Sequence, residues 1–201
     1  MKIVLLCEGE TESALKEPLK DHLDKQCELA QIPRVGLTIM AFDGPATNCR
    51  EVKTRLETHA LNPKVLGVVV LSDVYPDFAD AAETKTYLRN CVAKSSAKHM
   101  FYAHAAQFDF EAWLLPYWER IAKGLKVKAK LPGSDPEKVN SQKPPSEHLK
   151  ELYAKAHKHY QKTTEANRIF SRYGIEEAVE KCSELQALVS TLIDLCKKAS
   201  S

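Results

Sequence analysis

The sequence predicts an α/β fold: a mostly parallel, doubly wound sheet of about four strands with a C-terminal helical appendage. Three observations carry this. Short apolar runs alternate with helically spaced segments in the order strand–helix–strand–helix–strand–helix–strand. Val65 to Leu71 (VLGVVVL) is apolar on both faces, which suits the middle of a parallel sheet covered by helices. Beyond residue 109 the strand pattern stops and helical spacing continues.

Lys2 to Cys7 (KIVLLC) reads as the first strand, stopped at Glu8-Gly9. Thr11 is placed to cap a helix from Glu12 to about Gln31, with Leu15, Leu19, Leu23 and Leu29 close to one face. Val35 to Phe42 (VGLTIMAF) is the second strand, ended by Asp43-Gly44-Pro45. Cys49 to Leu61 has helical spacing and stops at Asn62-Pro63. After the third strand, Asp80 to Lys94 is helical, with Asp80 as its cap, and His99 to Ala105 (HMFYAHA) is the fourth strand. Phe110 to Lys123 reads as a helix whose Trp113 and Trp118 belong to a core. Gly124 to Pro145 is irregular; Glu147 to His159, Thr164 to Arg172 and Ile175 to about Lys198 are helical, with a break near Ser183. Residues 1–109 form the α/β core and 110–201 an appendage packed on it as one compact unit.

Composition narrows the class. The chain has 201 residues, 44% hydrophobic and 28% charged, enough to bury roughly 70% of its extended-chain surface without staples. That balance excludes a disordered, collagenous or low-complexity chain. The longest apolar run, Val65 to Leu71, falls far short of the ~20 residues of a membrane span. Ile3 to Cys7 is too short for a secretory core of about 7–15 apolar residues, so a cytoplasmic protein is expected. Cysteines 7, 27, 49, 91, 182 and 196 form no Cys-x-x-Cys pair, and reduced, mostly buried thiols are expected. Net charge is +2, yet Arg120 to Lys162 holds 11 Lys and Arg against 4 Asp and Glu. This basic stretch is either a solvated loop or the face toward an anionic partner.

Doubly wound sheets collect chemistry at the carboxyl ends of their strands. There the sequence places Glu8 (with Glu10 and Glu12 beyond), Asp43, Asp73 (with Asp77 and Asp80), and Asp109 with Glu111. Converging carboxylates repel, and a hard divalent ion relieves the repulsion; Mg²⁺, or Mn²⁺, takes such oxygens together with phosphate oxygens. Glu10 and Glu12 also suit a helix's first turn, and Asp43-Gly44 suits a turn. Glu8 follows a wholly apolar strand, Asp73 closes the most buried one, and Glu111 lies within apolar FEAWLL, where a bare carboxylate is costly. Lys155, Lys158 and Lys162 sit among Tyr153, Tyr160, His157 and His159, a mixture that suits nucleic acid and equally an exposed helix face. No Walker lysine motif, Gly-x-Ser-x-Gly elbow or Gly-x-Gly-x-x-Gly fingerprint is present, so ATPase, serine-hydrolase and dinucleotide readings lack support.

Cys7-Glu-Gly-Glu-Thr-Glu12 resembles the glutamate motif that opens Toprim domains, the metal-binding fold of primases, topoisomerases and OLD-type nucleases. LSDVYPDF at 71–78 sits where those domains carry Asp-x-Asp. FDFEAWLL at 108–115 and DPEKVNSQKPPSEHL at 135–149 are similar to a bacterial Toprim-like family of unknown function, itself similar to the RloB group. The likeness covers nearly the whole chain. It implies a Toprim/Rossmann-like sheet and a Mg²⁺-dependent nuclease or phosphodiester-processing protein, with a setting in bacterial phage defence. The partners implied are nucleic acid and a protein from a neighbouring gene. By position, Glu8 takes the acid/base or metal-ligating role and Asp73 the first metal aspartate. Tyr75 stands where the second aspartate belongs, so Asp77 or Glu111 would complete the site. Lys126, Lys128, Lys130, Lys155, Lys158 and Lys162 would track phosphate. The alternative is a non-catalytic binding or regulatory module with a degenerate metal site.

Overall fold

The computed structural model describes residues 1–9, 14–42, 46–139 and 143–199. Four parallel strands, β1 (Lys2–Cys7), β2 (Gly36–Ala41), β3 (Val65–Asp73) and β4 (Phe101–Ala106), form one sheet in the order β2-β1-β3-β4. Between them run α1 (Lys16–Leu29), α2 (Cys49–Ala60) and α3 (Ala81–Cys91). The fold is therefore α/β and doubly wound, with C-terminal helices.

The period-two alternation of the strands divides the core. Ile3, Leu5, Val69 and Leu71 face α1 and the C-terminal helices, while Val4, Leu6, Val68 and Val70 face Val52 and Leu56 of α2 and Leu88 of α3. Each such fully buried side chain contributes about 1.5–3 kcal/mol. Gly67 interrupts β3 because a Cβ there would lie 2.9 Å from Tyr102 and 3.0 Å from Leu195, where the last helix presses on the sheet.

After β4 comes a 3₁₀ segment, Phe110–Tyr117, then α4 (Trp118–Leu125), α5 (Pro145–Lys155), α6 (Lys162–Tyr173), α7 (Glu176–Lys181) and α8 (Ser183–Lys198). Phe110, Trp113, Tyr117, Trp118, Phe170 and Leu192 join the cluster that holds Ile3 and Leu5, so one core runs through sheet and appendage. Both tryptophans are buried, as core residues should be. Asp80 caps α3 by accepting from the Glu83 amide at 2.8 Å.

Several expectations need correction. Phe110 to Lys123 is not one α-helix: Pro116 lacks an amide hydrogen to donate, and its first part winds as 3₁₀ before α4 begins. Leu29 is exposed, and Cys27 takes its place behind Leu19 and Leu23, because Leu29 falls about 120° around the axis from Leu23. The thiols are not all reduced. Cys49 and Cys91 form a disulfide between the start of α2 and the end of α3, two helices brought together on one sheet face from positions 42 residues apart. Cys7, Cys27, Cys182 and Cys196 are free and buried. No helix among the described residues is long and apolar enough to cross a membrane. The Thr11 cap, Glu10, Glu12 and the Asp43-Gly44-Pro45 turn lie outside the described residues.

Candidate functional site

Strand register builds the site. Cys7 pairs with Leu71, so Glu8 emerges beside Ser72. The Ser72 hydroxyl donates to Glu8 Oε2 at 2.6 Å, and the Asp73 amide donates to the same oxygen at 3.2 Å. Two donors from β3 thus orient the carboxylate that closes β1.

Asp73 in turn pairs with Ala106, and the chain past β4 keeps following β3: Val74 donates to Ala106 and Tyr75 to Phe108. Phe108 takes a positive φ of 68°, after which the chain turns to bring the Phe110 amide to Asp73 Oδ1 at 2.9 Å. That turn sets Asp109 and Glu111 beside the same rim. Glu111 is wholly buried and Asp109 only 5% exposed. The Ser146 amide, in the first turn of α5, donates to Asp109 Oδ2 at 3.2 Å. Asp109 Oδ1 is buried and accepts no hydrogen bond of normal geometry among the described residues.

The appendage supplies a cation to Glu111. Lys162, the first residue of α6, places Nζ 3.0 Å from Glu111 Oε2. Tyr160 donates a long hydrogen bond, 3.5 Å, to Glu111 Oε1 and packs edge-on against Tyr153. Burial and then the neighbouring Asp109 push the Glu111 carboxyl up to about 7, against the opposing pull of Lys162. Burial also raises Asp109, partly offset by its Ser146 hydrogen bonds and by Lys162. Burial alone would lower the Lys162 ammonium, but Glu111, then Asp73 and Asp109, hold it above its ordinary value.

The structure brings Glu8, Asp73 and Glu111 to one edge. Asp77 lies exposed on the turn after β3 and forms no hydrogen bond or ion pair with them among the described residues. Lys162 turns inward to Glu111. Lys155 and Lys158 are exposed near the same α5–α6 connection that carries Tyr160, and Lys126, Lys128 and Lys130 are exposed after α4. Sequence reasoning missed Ser72, Ser146 and the inward role of Lys162; Ser72, polar at the end of an apolar strand, was the one available signal.

Hard carboxylate oxygens, an orphaned buried Asp109 oxygen and more negative than positive charge fit a divalent cation in chemistry. As arranged, no three Asp, Glu, His or Cys side chains among the described residues converge closely enough to hold one. Lys162 supplies the counter-charge instead.

Residues 7–193 match the family described as "Domain of unknown function (DUF4276)". No curated protein matches the chain. Among solved structures, the chain is similar to the C-terminal region of the Burkholderia pseudomallei OLD protein, with a TM-score of 0.44 and 14% identity over 93% of this chain and 98% of that one.

Proposed function

The chain belongs to the DUF4276 family of unknown function, and we propose that it is a divalent-cation-dependent, Toprim-like phosphodiester-processing protein acting on nucleic acid, in a setting of phage defence. The observation that carries this reading is the junction of Glu8 and Asp73: the carboxylate closing β1 accepts from the amide of the carboxylate residue closing β3, at the strand-end rim where such sheets do their chemistry. The motif resemblance of residues 7–12 and 71–78 points the same way. Glu8, Asp73 and Glu111, with Asp109 beside them, are the side chains that would serve Mg²⁺ or Mn²⁺, and they would have to draw closer together than they stand here to do so. When bound, such an ion polarises a phosphoryl oxygen and lowers the barrier to attack. Glu8, oriented by Ser72 and by the Asp73 amide, is placed to accept or return a proton at Oε1 or Oε2. Exposed Lys155 and Lys158 would meet the phosphate backbone beside the rim.

A second reading, a binding module without chemistry, is favoured by Tyr75, 48% exposed where the resemblance calls for an aspartate. The test is cleavage of single- and double-stranded DNA and RNA with Mg²⁺ or Mn²⁺. Glu8→Gln and Asp73→Asn are each expected to lower divalent-dependent cleavage at least ~100-fold, the scale of general acid–base catalysis, with an unchanged melting curve. Absence of cleavage by the wild-type chain on every substrate overturns the enzymatic reading.

A further inference from the structure

We propose that the cleft across the β4 edge, between α3 and α8, binds a small phosphate monoester, its phosphate held by Lys85 and Arg89 from one wall and by the Thr191 hydroxyl from the other. The site is separate from the strand-end rim and does not depend on the cation chemistry read there.

β4 is an edge strand, and the two helices reach it from opposite faces of the sheet. Leu88 of α3 shares a core cluster with Val68 and Val70, whereas Leu188 and Leu192 of α8 share one with Val69 and Leu71. The cleft left at the edge has a volume of about 290 Å³. Lys85 and Arg89, one turn apart on α3, line it together with His104 of β4 and Thr191 of α8.

Charge selects the ligand first. Lys85 is paired with Glu184 of α8 at 2.8 Å, but Arg89 is exposed and forms no ion pair or side-chain hydrogen bond among the described residues. Lys198 brings a second cation with no carboxylate partner among the described residues. Its ammonium donates at 2.8 Å to the hydroxyl of Tyr102, which also lines the cleft. Two cations without counter-ions suit the charge of about −1.5 to −2 on a phosphate monoester near neutral pH, and the arginine fork matches its oxygens in pairs.

The polar floor comes next. His104 is buried, its Nδ1 has no hydrogen-bond partner among the described residues, and its Nε2 lies 3.0 Å from Thr191 Oγ1. The tautomer with its hydrogen on Nε2 leaves no buried donor orphaned. The ring then donates to Thr191, whose own hydrogen is left to meet a phosphate oxygen. After burial, Lys85 and Arg89 are what lower the imidazole, so the field of both cations reaches this ring. Size completes the case. Ligand pockets run from roughly 300 to 1,000 Å³, so this cleft takes a phosphate with a small organic body against Phe101 and Tyr102. An added β-strand, the other occupant an open edge invites, is barred where the Lys85–Glu184 pair ties α3 to α8 round the edge.

Calorimetric titration of the whole chain with phenyl phosphate is expected to show one site, with inorganic phosphate weaker and phenol silent. Arg89→Gln and Thr191→Val should each weaken phenyl phosphate at least ~10-fold, the scale of a hydrogen bond to a charged group, while Lys123→Gln on α4 leaves it unchanged. No binding by wild type overturns the site. So does equal weakening by Arg89→Gln and Lys123→Gln, the mark of diffuse charge attraction. Inorganic phosphate binding as tightly as phenyl phosphate overturns the monoester. A 5′-phosphorylated hexanucleotide binding more tightly than phenyl phosphate, and through Arg89, overturns the small ligand in favour of a nucleic-acid end. The wild-type chain gives a reading that needs no stable variant in the cleft wall: the His104 ring resonance, assigned by its loss in His104→Gln, should move on saturation with phenyl phosphate. An unmoved resonance overturns the placement.

Discussion

Glu111 and Glu137 are both withdrawn from solvent, at 0% and 7% exposure, and they are surrounded in opposite ways. Glu137 lies on a 3₁₀ turn, Pro136–Lys138, and accepts from uncharged donors: Trp113 Nε1 at 3.1 Å, Ser183 Oγ at 2.8 Å and the Glu184 amide at 3.1 Å. Its carboxylate stands at the N-terminus of α8, where orphan amides and the helix dipole favour negative charge. It is satisfied without a cation. Glu111 lies against another buried carboxylate, Asp109, and one lysine. The first arrangement holds structure together; the second keeps like charges close, which folding alone would not favour. A buried carboxylate signals function when its neighbours leave its charge unbalanced, and burial by itself does not separate the two cases.

The widest gap should appear on removing Glu137. Glu137→Ala strips the acceptor from three donors that tie the 3₁₀ segment Phe110–Tyr117 to α8. The expected loss is on the order of 3 kcal/mol, or a melting temperature lower by roughly 10 °C, measured by denaturant and thermal unfolding. Divalent-ion affinity at folding temperatures should not change. Should it fall with stability, Glu137 would belong to the same unit as Glu111.

His104 extends the comparison to a buried base. It is 7% exposed, its Nε2 lies 3.0 Å from Thr191 Oγ1 on α8, and Nδ1 has no hydrogen-bond partner among the described residues. Burial, then Lys85 and Arg89 of α3, lower it to about 4, and Lys85 is itself paired with Glu184 of α8. The neutral ring is thus favoured in the folded chain, while the unfolded chain binds the proton below about 6.5. Stability from this group is complete above that pH and falls as pH drops toward 4. Wild type should lose up to about 3 kcal/mol more than His104→Gln between pH 7 and pH 4 in urea unfolding. Parallel curves for the two proteins would show that acid destabilisation comes from the carboxylates instead.

The sheet was legible because its signals are local: KIVLLC and VLGVVVL declare buried strands, and register follows once they lie parallel. The strand-end position of Glu8 and Asp73 was legible for the same reason. What could not be read was tertiary. Nothing local says that Lys162, 51 residues beyond Glu111, would turn into the rim, or that Cys49 would meet Cys91. Nor does FEAWLL distinguish Glu111 from Glu137 in DPEKV: each is a glutamate bound for burial, and only the assembled fold decides which donors it meets.

The smallest effect on stability is expected at Glu111 itself, and it is the most informative. Glu111→Gln is nearly isosteric, keeps an acceptor for Tyr160, and removes the repulsion from Asp109. It also frees Lys162 from its closest partner while leaving Asp73 and Asp109 to attract it. Removing one member of a buried pair usually costs about 3–5 kcal/mol because the other charge is stranded. Here the ammonium keeps two other carboxylates and is partly exposed, so the gain from lost repulsion should offset most of that cost, and unfolding free energy should move by less than about 1 kcal/mol. Mn²⁺ binding should nevertheless weaken at least ~10-fold, since one hard oxygen ligand is replaced by an amide. A loss of stability comparable to that of Glu137→Ala, with ion binding unchanged, would make Glu111 a second structural carboxylate and dissolve the distinction between the two sites.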